Sequence, residues 1–122
     1  MIFMTKKEYL SQLNYVAIND EKVSEIEKVY GVLNNEIVKK ILSNAKETIF
    51  LDDDVRSLEF SEIKDADKEL HVDFSQRHFL PLFDCCENNF IIYNISADNW
   101  AMFNINDEVL FMEKSSLHDL LN

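Results

Sequence analysis

Apolar positions along this chain change their period roughly half-way. In the first half they recur at three- and four-residue steps, and beyond His78 they gather into short dense runs separated by polar turns. Tyr9, Leu10, Leu13 and Ala17 keep helical spacing behind Thr5-Lys6-Lys7-Glu8, a capping-box pattern, which predicts a helix from about residue 5 to 15 or beyond. Residues 19–22 read as a connection. Ser24-Glu25-Ile26-Glu27 offers a second box for a short helix over residues 24–30, with Gly31 as its left-handed stop. Asn34 is placed to cap a third helix over residues 35–44, in which Ile37, Val38, Ile41 and Leu42 form one stripe. Lys39, Lys40 and Lys46 lie off that stripe and towards the C-terminal end, where they complement the helix dipole. Residues 48–51 read as a short strand and 55–60 as a strand or extended segment. Residues 61–70 read as a short helix or helical turn with Ile63, Ala66 and Leu70 on one face, and 71–74 as extended.

The stretch from His78 to Met112 holds the only proline, the only tryptophan and both cysteines. Its apolar runs predict strands over residues 79–83, 90–95, 100–105 and 109–112. The Asp- and Asn-rich interruptions at 84–89, 96–99 and 106–108 suit turns, because those side chains hydrogen-bond their own backbone. Connections this short imply antiparallel pairing, hence a β-meander. Ser115 or Ser116 then caps a last helical turn carrying Leu117, Leu120 and Leu121. Helices first and strands second give an α+β fold: N-terminal helices packed on a mostly antiparallel sheet, closed by a short C-terminal helix. The strands do not alternate as a sheet with one wet face should, since Phe90-Ile91-Ile92-Tyr93 is apolar on both sides. One face is therefore expected against the helices. The other is either covered by residues 51–70, the commoner outcome, or offered as a contact surface.

A chain of 122 residues with one Gly and one Pro suits a single domain over 1–122 with no flexible linker. Its apolar runs fall far short of the ~20 residues that span a bilayer, and MIFMTKKEYL is a poor secretory signal. Adjacent Cys85 and Cys86 make no disulfide framework, so the expectation is a cytoplasmic protein with reduced thiols. The net charge of −11 is uneven: residues 1–61 hold 8 basic and 11 acidic side chains, and residues 62–122 hold 4 and 12. That sign argues against direct nucleic-acid binding and for a basic protein partner, although acidity often serves only solubility.

Candidate chemistry is sparse. A calcium loop beginning at Asp52-Asp53-Asp54 needs Gly sixth and Glu twelfth, where Ser57 and Ile63 stand. Asp84-Cys85-Cys86-Glu87 lacks the spacing and the second cysteine pair of a zinc site. His71, Asp73 and His78 come with no nucleophile motif, and Gly31 alone cannot build a phosphate loop. No catalytic residue, metal or cofactor is expected, and the chain reads as a binding protein.

Gly31-Val32-Leu33, the helix after it, and FLPLFDCCENNFIIYNI (79–95) followed by the Trp100 strand resemble the SUKH superfamily of Smi/Knr-like proteins. The resemblance spans roughly residues 24–121. The chain departs from the family pattern at Asn34, where a proline is common, at Ser43-Asn44-Ala45-Lys46, in place of an Asn-Gly-Gly turn, and at Cys86, in place of a glycine. The resemblance implies helices on a mixed or antiparallel sheet. In bacteria it implies an immunity protein that binds a cognate polymorphic toxin domain, often a nuclease, and blocks its active site. In the eukaryotic branch it implies a regulatory scaffold or adaptor. The acidic residues expected to rim a partner surface are Asp65, Asp67, Glu69, Asp73, Asp84, Glu87 and Asp98, with Tyr93 as an aromatic anchor. Phe90 and Trp100 are expected in the core.

Overall fold

A computed structural model of the chain describes residues 2–121. The Thr5 hydroxyl accepts from the Glu8 backbone N–H at 3.0 Å and the Glu8 carboxylate accepts from the Thr5 N–H at 2.9 Å, so the expected capping box starts α1 (Lys6–Leu13). Residues 19–22 are not a connection; they open α2 (Asp20–Tyr30). The Asn19 side chain accepts from the Lys22 N–H at 3.2 Å, and the Asn19 N–H donates to the Ser43 hydroxyl at 2.8 Å. That fixes the helix one turn earlier than Ser24 would. Gly31 ends α2 at φ 116° and ψ 171°, a region in which side-chain-bearing residues are strained, with the His78 ring 3.4 Å from where a Cβ would sit. Asn35, rather than Asn34, caps α3 (Glu36–Ser43) by accepting from the Val38 N–H at 3.1 Å.

A strand missing from the sequence pattern and one blurred in it flank the expected β2 (Ile49–Phe50): β1 (Ile2–Phe3) runs parallel to it, and β3 (Arg56–Ser57) antiparallel. Asp53 and Asp54, both at φ 59°, turn the chain between β2 and β3. The Asp52 carboxylate accepts from the Lys6 N–H at 2.9 Å and Asp53 pairs with the Lys6 ammonium at 2.9 Å, so the acidic triplet also holds the start of α1. The expected helix over 61–70 is two pieces, α4 (Phe60–Lys64) and α5 (Ala66–Leu70), parted at Asp65. Residues 71–74 are not extended. His71 turns left-handed at φ 55° and α6 (Phe74–Arg77) follows, held by Ser75, whose N–H donates to Asp67 at 3.1 Å and whose hydroxyl donates to the same carboxylate.

The meander is β4 (Phe79–Asp84), β5 (Asn89–Asn94), β6 (Asn99–Asn104) and β7 (Val109–Lys114), closed by α7 (Leu117–Leu121). Strand order in the seven-stranded sheet follows the sequence, and every pair after β1–β2 is antiparallel. The fold is thus α+β with a mostly antiparallel sheet. Register puts Leu80, Tyr93 and Trp100 in one row and Phe83, Ile91 and Met102 in another on the same face. Pro81, Ile92 and Ala101 lie on the opposite face with Phe90 and Phe103. The Tyr9 ring of α1 meets Phe83 edge-on at 5.6 Å, and the Phe74 ring of α6 meets Phe103 at 5.7 Å, so both faces are covered by the chain itself. Cover on the second face comes from α6 as well as from the segment ending at Leu70, which lines a small cavity with Phe90. At the end of α2, the Tyr30 hydroxyl donates to the Ile63 carbonyl at 2.6 Å and the Tyr30 carbonyl is bonded by His78 Nδ1 at 2.7 Å. Among the described residues no helix is long and apolar enough to cross a membrane.

Phe74→Ala removes the fully buried ring that seals the second face and should cost about 3–5 kcal/mol in chemical denaturation. Tyr15→Ala, at a side chain 87% exposed, should change stability by no more than about 0.5 kcal/mol.

Candidate partner-binding surface

The acidic residues expected to form one rim occupy separate places. Asp65, Glu69 and Asp73 are exposed along the α4–α6 segment, whereas Asp67 is turned inward to hold Ser75. Asp65 and Asp67 also bear on Tyr30, whose hydroxyl is driven above its ordinary range by burial first and by those two charges after it. Asp84 sits half-buried beside Arg56, at 3.3 Å, and its other oxygen accepts from the Cys86 N–H at 2.9 Å. The Arg56 guanidinium meanwhile makes two 3.1 Å hydrogen bonds to the two oxygens of Glu62. Burial alone would raise the Glu62 carboxyl, but the hydrogen bonds from Arg56 and from the Glu59 backbone bring it below its usual range.

Glu87 is exposed in the β4–β5 turn, where Cys86, Glu87 and Asn88 are all left-handed, at φ 68°, 53° and 66°. Asp98 is exposed in the β5–β6 turn, at the other end of β5, about 20 Å away for six strand residues. The structure joins Asp98 to Tyr93, whose hydroxyl donates to it at 2.5 Å. Tyr93 itself is 3% exposed, with its ring 5.1 Å from that of Trp100. It is a core residue and presents no anchor to solvent. Burial, and after it the hydrogen bond to Asp98, push its hydroxyl upward. Phe90 and Trp100 are buried as expected.

Two surface features escaped the sequence pattern. One is a groove in which Tyr93 and Asp98 face Val32, Asn35, Glu36 and Ile37 at the start of α3; Val32 is 69% exposed there. The other is β7. Among the described residues no strand lies beyond it, and Val109, Phe111 and Met112 are exposed, flanked by exposed Asp107, Glu108 and Glu113. The last strand of a meander is an edge strand by construction, so an apolar run in that position is the signal that marks this surface.

His78 bonds Tyr30, and Cys85 and Cys86 are both free thiols. Burial first, then the charge of Asp84, raises the Cys85 thiol to about 11; Cys86 is exposed with its Sγ 3.2 Å from the Asp54 carbonyl. Among the described residues no three His, Cys, Asp or Glu side chains come together to hold a metal ion. No protein-family model, curated protein or solved structure matches the chain.

Because Glu62 titrates below its unfolded value, its contribution to stability is present above the ordinary carboxylate range and is lost as pH falls through the folded value. Arg56→Ala should therefore raise the Glu62 carboxyl titration followed by NMR and move the acid-unfolding midpoint to higher pH. An unmoved Glu62 titration would refute the pairing.

Proposed function

We propose that this chain is a stoichiometric protein-binding module that serves in bacteria as a cytoplasmic immunity protein, blocking the active site of a basic cognate toxin domain. The observation that carries the reading is the separation of charge from core. Residues 62–122 hold 12 acidic against 4 basic side chains, while their aromatic residues are largely buried. Asp65, Glu69, Asp73, Glu87 and Asp98 remain on the surface. A nuclease toxin must carry a basic groove for phosphates, and an acidic protein surface competes for that groove. The resemblance to SUKH proteins supplies the class of partner. It also supplies the rival, a regulatory scaffold or adaptor bound to another intracellular protein, whose loss would not expose the cell to a toxin.

Co-expression with a toxin found encoded next to it should preserve viability at equal expression of the two chains; cells that die as fast with the protein as without it would remove the immunity reading for that pair. Association with the partner, measured by stopped flow, should slow as salt rises from low to ~0.15 M, where the screening length is about 8 Å. A salt-independent on-rate would take acidic steering out of the account.

A further inference from the structure

Resting on the protein-binding reading above, we infer that β7 is a strand-addition site for a basic, extended segment of the partner. The sheet has two edges of very different kind. At one, β1 is two residues long; at the other, β7 has six. The outward N–H and C=O groups of such an edge are a template for another strand, and long edges are ordinarily masked. Here no described strand covers it. Val109 and Phe111 are 51% and 36% exposed and, paired with Asn104 and Met102, lie on one face of the sheet; Met112 is 54% exposed. Side chains of an added strand would pack on that row at alternate positions.

The edge also limits how the guest sits. Met112 is left-handed at φ 53°, within the register shift between the Met102–Phe111 and Trp100–Lys114 pairs. A bulge there bends the strand, so the straight template is Val109–Phe111. Charge selects the occupant. Asp107, Glu108 and Glu113 are exposed around the template; Arg77 bonds Glu108, and Lys114 is the basic residue within the strand. A second copy of β7 would bring these carboxylates against their own kind on two chains of net charge −11 each. A lysine- or arginine-bearing strand meets them with the opposite sign.

The probe is an acetylated ten-residue peptide alternating lysine and valine, with a glutamate–valine peptide as its control, titrated into the full chain and followed by amide NMR. Saturable shifts centred on residues 109–114, at least tenfold weaker with the control peptide and at least tenfold weaker in V109K/F111K, are expected. Both substituted side chains are exposed, so that variant should keep its fold, which its amide spectrum checks. No saturation, shifts centred elsewhere, or β7 shifts that follow protein concentration without peptide would overturn the inference, the last in favour of a second copy. The two readings fail separately. Protection from toxin that survives V109K/F111K would remove β7 and leave immunity standing. Saturable peptide binding at β7 without protection would remove immunity and leave the edge.

Discussion

Strands β4 and β5 are antiparallel neighbours whose four inner positions are all buried, and such a pair cannot leave either face to water. The rest of the molecule answers that constraint. Tyr9 of α1 lies over Phe83 on one side, and Phe74 of α6 lies over Phe103 on the other. The chain reaches the second side between β3 and β4, through three short helical pieces, before it lays down the meander. Tyr30 joins the two ends of this wrapping: its hydroxyl is bonded to α4 and its carbonyl to the residue that leads into β4.

Acidity in this protein has two uses, and they divide the carboxylates. Asp52, Asp53, Glu62, Asp67 and Asp84 are each bonded to a donor elsewhere in the fold, so they orient helices and turns. Exposed pairs of this kind contribute little individually, and the half-buried Arg56 cluster contributes more because two carboxylates share one planar guanidinium. Asp65, Glu69, Asp73 and Glu87 remain for the surface, and Asp98 belongs to both sets, exposed and yet bonded by the Tyr93 hydroxyl; together they spread over both ends of the meander and one helical flank. A partner that senses them meets a field rather than a single rim.

Much of this was legible in the sequence. The Thr5 box, the Gly31 stop, the α3 stripe, four strands with their Asx-rich turns and the α+β order all stand. What was missed shares a cause. Asn19 caps α2 without a box partner and is itself held by Ser43, a residue of another helix. The α6 turn depends on Asp67 reaching Ser75, and β1 on pairing with a strand far along the chain. Local patterning does not record contacts of that range. The same limit governed the acidic surface, since nothing near Asp84 in sequence announces Arg56. Tyr93 was misplaced for a different reason: its hydroxyl reaches the surface groove while its ring stays in the core, and residue type alone cannot separate the two.

Strand order that follows chain order also sets a schedule for folding. The hairpins β4–β5, β5–β6 and β6–β7 each close over a few residues and form from local contacts. The parallel pairing of Ile2 with Ile49 must instead wait for the three N-terminal helices to be in place between them. During synthesis the order is reversed, because α1–α3 emerge with their apolar stripes before the strands they cover exist. Until the residues after His78 have left the ribosome, the first half of this chain therefore lacks its sheet, and its helices have only one another to pack on, α1 and α2 each against α3.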